Sequence, residues 1–166
     1  MPQHLFSSHE RRPARITAIR CTDLPPQANR LLWLSRLFIA ARLDYARAER
    51  SIALVAPRCS RAVPILLCHL LLEISRHATR RVQVASPCHG TVVEDELRFL
   101  AAVDLAQLGD PRLPCLLQET YGPDCDADAI APVLTATLKL GEVLLQEGMR
   151  VEACHLLPEG ALPTLH

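Results

Sequence analysis

Three Cys–His dipeptides stand out in the chain: Cys68–His69, Cys88–His89 and Cys154–His155. With seven cysteines and seven histidines in 166 residues, chance placement gives only about 0.3 such pairs. Thiolate and imidazole are the ligands that zinc and other borderline metals prefer. Zinc sites, however, bring their ligands in pairs two to four residues apart, so that one turn presents both. The chain has no C-x-x-C, and adjacent side chains on a helix or strand point in different directions. The expectation is therefore no cofactor. Zinc or another transition metal on Cys88, His89, Cys154 and His155 is kept as the alternative. His69, one turn before Glu73 on a polar helix face, reads as a solvated histidine with an acidic i,i+4 neighbour. Cys68 reads as a small core residue.

Cys88 is the residue best placed for thiol chemistry. The segment V-A-S-P-C-H-G-T runs from an extended stretch toward a helix. The positive end of that helix and an imidazolium at His89 would both favour thiolate. Glu94, Asp95 and Glu96 crowd the same terminus and oppose it. A phosphatase-like loop would need Arg about six positions after the cysteine, where Glu94 stands, and no second cysteine lies within three residues. The expectation is a structural turn cysteine that reacts no faster than a free thiol.

Other acidic groups read as structural. Asp124, Asp126 and Asp128 have the spacing that opens a calcium loop, but Ala129 and Thr135 occupy the positions that need Gly and a bidentate Glu. They are expected to cap and begin a helix. Glu94–Glu96 likewise sit where negative charge stabilises a helix start. There is no G-x-G-x-x-G, Walker loop or G-x-S-x-G, and the first glycine of the chain is Gly90. No catalytic residue is assigned.

The elements that must position these residues are helices. Residues 27–42 form a first helix whose apolar stripe is so wide that, after its opening Gln27 and Asn29, only Arg30, Ser35, Arg36 and Arg42 are polar, which suits a central position. Asp44 caps a second helix over 45–56. A third helix over 61–77 starts at Ser60, tolerates Pro64 in its first turn and turns Val63, Leu67, Leu70, Leu71 and Ile74 inward. Thr91 and Glu94 have the spacing of a capping box for a helix reaching Leu108, stopped by Gly109. A short helix follows to about Thr120. The last helix runs to about Glu147, with Ile130, Leu134, Leu138, Gly141 and Leu145 on its inner side. Gly141 in mid-helix signals close approach of another backbone. Residues 81–85 and 150–153 alternate weakly and could pair.

The expected fold is mainly α: a single compact domain of five or six helices over residues 15–155 with at most a small two-stranded element. A flexible tail (1–14) precedes it and an irregular one (156–166) follows. The alternative is an α/β fold with a short sheet, its strands at 15–20, 52–56, 81–85 and 150–153. Parallel strands would gather Cys21, Cys59, Cys88 and Cys154 at one edge.

Composition bounds the function. The chain is 49% hydrophobic with zero formal net charge, long enough to bury a core without metal or disulfide staples. The odd cysteine count and the lack of a signal-like N-terminus predict free thiols in a reducing cytoplasm. The best apolar run, 31–41, is far shorter than a membrane span, so no membrane contact is expected. Residues 1–90 carry a net charge of +9 and residues 91–166 one of −9. Such a split is expected when two halves of one domain neutralise each other, and nucleic acid binding is not expected. The expected function is a non-enzymatic interaction or regulatory module, with a protein partner or self-association. The alternative is a thiol- or metal-dependent protein using Cys88–His89.

Overall fold

The computed structural model describes residues 6–7, 19–48, 52, 60–123, 127–158 and 160–163. It is mainly α, with 65% of the described residues helical. In chain order the elements are β1 (Phe6–Ser7), α1 (Pro26–Ala40), α2 (Ala62–His77), β2 (Val82–Gln83), α3 (Glu94–Leu108), α4 (Leu113–Tyr121) and α5 (Ala127–Gln146). Residues 45–48 and 52 are also helical, and Cys21–Asp23 and Cys154–Leu156 each form one 3-10 turn.

Among the described residues extended structure is minimal. β2 aligns in parallel with β1, Phe6 opposite Val82 and Ser7 opposite Gln83, and Arg20 bridges to Thr91. The α/β alternative is therefore overturned. Residues 15–18 and 53–56 lie outside the described residues, Ile52 is helical, and residues 150–153 form no strand. The N–H groups of Val151 and Ala153 donate instead to the side chains of Gln107 and Asp104 on α3. That pairing with α3 replaces the expected pairing with 81–85.

Helix ends follow their residue chemistry. Pro26 opens α1, where a missing N–H costs nothing. The chain then reverses through Arg42 and Leu43, both at φ +58°, so α1 stops at Ala40 rather than Arg42. Asp44 accepts the Arg47 N–H at 3.2 Å, as a cap should. Gly109 (φ +63°) and Gly148 (φ +71°) end α3 and α5 in the left-handed region. The α3 start is displaced from its expected frame. The helix begins at Glu94, and it is Glu96 whose carboxylate accepts the Val93 N–H at 3.0 Å. Thr91 lies outside the helix, its hydroxyl 2.8 Å from His89 Nε2.

One continuous core runs from Cys21 to Leu157. Val63, Leu67, Leu70, Leu71 and Ile74 of α2 are all buried within it, as their spacing predicts. The organising helix is the last rather than the first: α5 packs on α2, α3 and α4, whereas α1 packs on α2 and α3. At the α3–α5 crossing a Cβ added to Gly141 would lie 3.0 Å from Ala106 Cβ and 3.3 Å from Gln107 N. This is the close approach that the mid-helix glycine signals.

The inner face of α5 differs from its expected one. Ile130, Val133, Thr137, Leu140 and Leu144 are buried, while Leu138 and Leu145 face solvent at 44% and 38% exposure. Among the described residues no helix is long and apolar enough to cross a membrane.

Candidate functional site

The polar centre of the molecule is at the start of α3. Arg36, from the apolar helix α1, is only 1% exposed. Its Nε and Nη2 donate to the two oxygens of Glu96, each at 2.7 Å. Its remaining donors reach the carbonyls of His89 (2.7 Å) and Thr91 (2.8 Å). Burial works to lower the basicity of Arg36, and the Glu96 carboxylate more than offsets it, leaving the guanidinium above its ordinary value.

Beside this pair, Arg80 is bonded through two guanidinium nitrogens to Asp95. The same carboxylates bind the adjoining extended segment: Asp95 accepts Gln83 N–H at 2.7 Å and Glu96 accepts Ala85 N–H at 3.0 Å. Two arginines from the basic half thus meet two acids from the acidic half in bidentate pairs, Arg36–Glu96 fully buried and Arg80–Asp95 partly so. These carboxylates are committed to structure. A gap of about 20 Å³ beside them, lined by Ser35, Ile39, Val82 and Phe99 among others, has room for little more than a water.

The Cys–His residues divide between different parts of the fold. Cys88 is exposed in the turn after β2. Its helix begins six residues later, at Glu94, beyond the first-turn range over which a helix dipole acts. His89 is fixed by Thr91. Cys21 is buried beneath this turn, its thiol donating to the His89 carbonyl at 3.6 Å.

Cys154 lies farther along α3, its thiol donating to the Ala101 carbonyl at 3.6 Å and its N–H to Asp104 at 2.8 Å. Burial, with Asp104 adding to it, pushes the Cys154 thiol up to about 12. Cys68 is buried and donates to the Leu43 carbonyl; burial and Asp44 push its thiol up as well. Both are poor thiolates.

His69 is exposed and 3.8 Å from Glu73, as expected. Glu73 itself is buried, paired with Arg76 at 2.6 Å and with His77 at 3.3 Å. Among the described residues no three His, Cys, Asp or Glu side chains are grouped to hold a metal ion. Asp128 lies in the first turn of α5. Asp124, Asp126 and Cys59 lie outside the described residues.

The feature that sequence reasoning missed is on the outside. Leu138 and Leu145, seven residues apart, project from one face of α5. Leu108, 62% exposed at the end of α3, lines a recess of about 420 Å³ together with Leu145, Arg150, Glu152, Cys154 and His155. Leu145 shares that recess with Leu108, and Leu138, two turns before it on α5, continues an apolar ridge along the helix. The available signal was the seven-residue spacing of Leu138 and Leu145, which puts both on one helix face. Arg36 and Glu96 were missed as a pair because sixty positions separate them. Comparison with protein-family models, with curated proteins and with solved structures finds no match.

Proposed function

We propose that this chain is a non-enzymatic helical module that binds another protein chain through the outer face of α5 and the adjoining end of α3. The observation that carries this reading is the ridge of Leu108, Leu138 and Leu145. Apolar side chains held together outside a core that already has ample leucine mark contact surfaces. The interior supports the same reading: the buried charged groups at the start of α3 are bonded to one another and to backbone. Five described cysteines are free, which favours a reducing, cytoplasmic setting.

The competing reading, a thiol- or metal-dependent protein using Cys88–His89, draws on the exposure of Cys88 next to an imidazole.

One comparison tests the proposal. In an extract of the source cells the parent chain should elute in an assembly larger than its 18.4 kDa mass. A Leu138→Glu/Leu145→Glu variant with unchanged circular dichroism should elute alone. Elution of the parent as a lone chain, or stoichiometric metal in the purified protein, overturns it.

A further inference from the structure

We infer that the occupant of the α5 ridge is a second copy of this chain, docked antiparallel about a two-fold axis that passes between Leu140 and Gly141. The inference rests on the reading above and names its partner. Alongside the leucines, the middle of the exposed face of α5 carries one cation and one anion, Lys139 and Glu142; Asp128, also exposed, lies about three turns away from Lys139 in the first turn of the helix. No ion pair within the described residues engages either side chain; Glu142 receives only a long hydrogen bond, 3.3 Å, from Gln146. Lys139 is also the only lysine of a chain with seventeen arginines.

A surface bearing one charge of each sign, three residues apart on a helix, is complementary to itself when inverted. With the axis between 140 and 141, Lys139 of one copy lies level with Glu142 of the other, and the pairing occurs twice. Leu138 then falls within about 3 Å, along the helix axis, of the second copy's Leu145, because each residue advances about 1.5 Å. The two leucines lie on the side of the face nearer Gly141 and α3, where Leu145 borders Leu108, and the two charges lie on the other side. A two-fold axis keeps each side with its like, so a row of leucines and a row of alternating charges form along one seam. A parallel two-fold would instead carry each side across the seam and set the charges of one copy against the leucines of the other. An isologous contact of this kind closes on itself and leaves no free edge.

The test uses the purified full-length chain. Sedimentation equilibrium should give about twice the 18.4 kDa chain mass. Lys139→Glu places like charges opposite each other twice, and so does Glu142→Lys; each should weaken self-association by about tenfold or more. Mixing the two single variants should restore it, since each then offers the charge that the other needs, and so should the double variant K139E/E142K. Both positions are exposed, and circular dichroism confirms each fold.

A chain that stays at 18.4 kDa up to millimolar concentration overturns the inference. So does a dimer that neither single reversal weakens, or one that mixing fails to restore. If the purified chain is a monomer yet elutes within an assembly in cell extract, the second copy is excluded and a different protein covers the ridge. If it is a lone chain in both, the interaction reading falls as well.

Discussion

The Arg36 guanidinium and the Glu96 carboxylate face each other in a fully buried fork, two N–H groups on two oxygens at 2.7 Å each. The pair joins the first long helix to the start of α3, and the basic half of the sequence to its acidic half. Arg36 also holds the carbonyls of the 89–91 turn, so this one side chain fixes where Cys88 and His89 are presented.

Removing one partner should be costly because it strands the other. Glu96→Leu leaves an unpaired buried guanidinium and orphans the N–H groups of Ala85 and Val93. It should lower stability by about 3–5 kcal/mol, read from the urea midpoint. The double variant Arg36→Met/Glu96→Leu should lose less than the sum of the two single losses. Additive losses would show that the pair is not coupled.

The two faces of α5 should respond oppositely to truncation. Leu144, buried, should cost about 2–5 kcal/mol when changed to Ala. Leu138, exposed on the single chain, should change stability by no more than about 0.5 kcal/mol when measured at dilutions where the chain is a monomer. Leu70→Ala in α2 should behave like Leu144→Ala, since it too is buried. Equal losses at 138 and 144 would mean that the helix is rotated from the orientation described.

The α3–α5 crossing has no room for a side chain at 141. Gly141→Val should destabilise by about 1–3 kcal/mol, because its Cβ would already meet Ala106 Cβ at 3.0 Å. Gly141→Ala should cost less, since its gain in helix propensity of about 1 kcal/mol offsets part of the contact. Thermal melts of the two variants check the order.

Much of this arrangement is legible in the residues. The α2 face is readable because Val63, Leu67, Leu70, Leu71 and Ile74 keep helical spacing, although Ile65 on the far side is exposed, and Gly109, Gly141 and Gly148 announce their roles through the absence of a Cβ. The α5 face is not, because that helix carries two apolar stripes, one through Val133, Leu140 and Leu144 and one through Leu138 and Leu145. Periodicity gives both equal standing; only the neighbouring helices decide between them. Arg36 looks like a solvent-facing residue because a charge on an apolar helix is usually exposed. Its burial depends on Glu96, and no local pattern links two residues sixty apart. The Glu94–Glu96 run is legible as a helix start, but not that its second and third members are paired inside while Glu94 is outside with Arg98.

Cys154 supplies a pH signature. Its thiol ionises near 12 in the folded chain against an ordinary 9.0. Below about pH 9 both states hold the proton, and the folded environment retains its full advantage. Between about 9 and 12 the unfolded chain ionises first, so stability falls as pH rises through that window. Urea midpoints measured from pH 8 to 11 should drop more steeply for the parent than for Cys154→Ser. At pH 8, Cys154 should also alkylate roughly tenfold or more slowly than the exposed Cys88 and Cys115.

The central claim is that the ridge on α5 is covered by a protein chain in the cell. Photo-crosslinking from a benzophenone amino acid at position 138, with the same group at exposed position 115 as control, tests it most directly. The account predicts a discrete adduct containing one additional polypeptide from position 138 and none from position 115. No adduct at 138, or the same adducts from both positions, would contradict it.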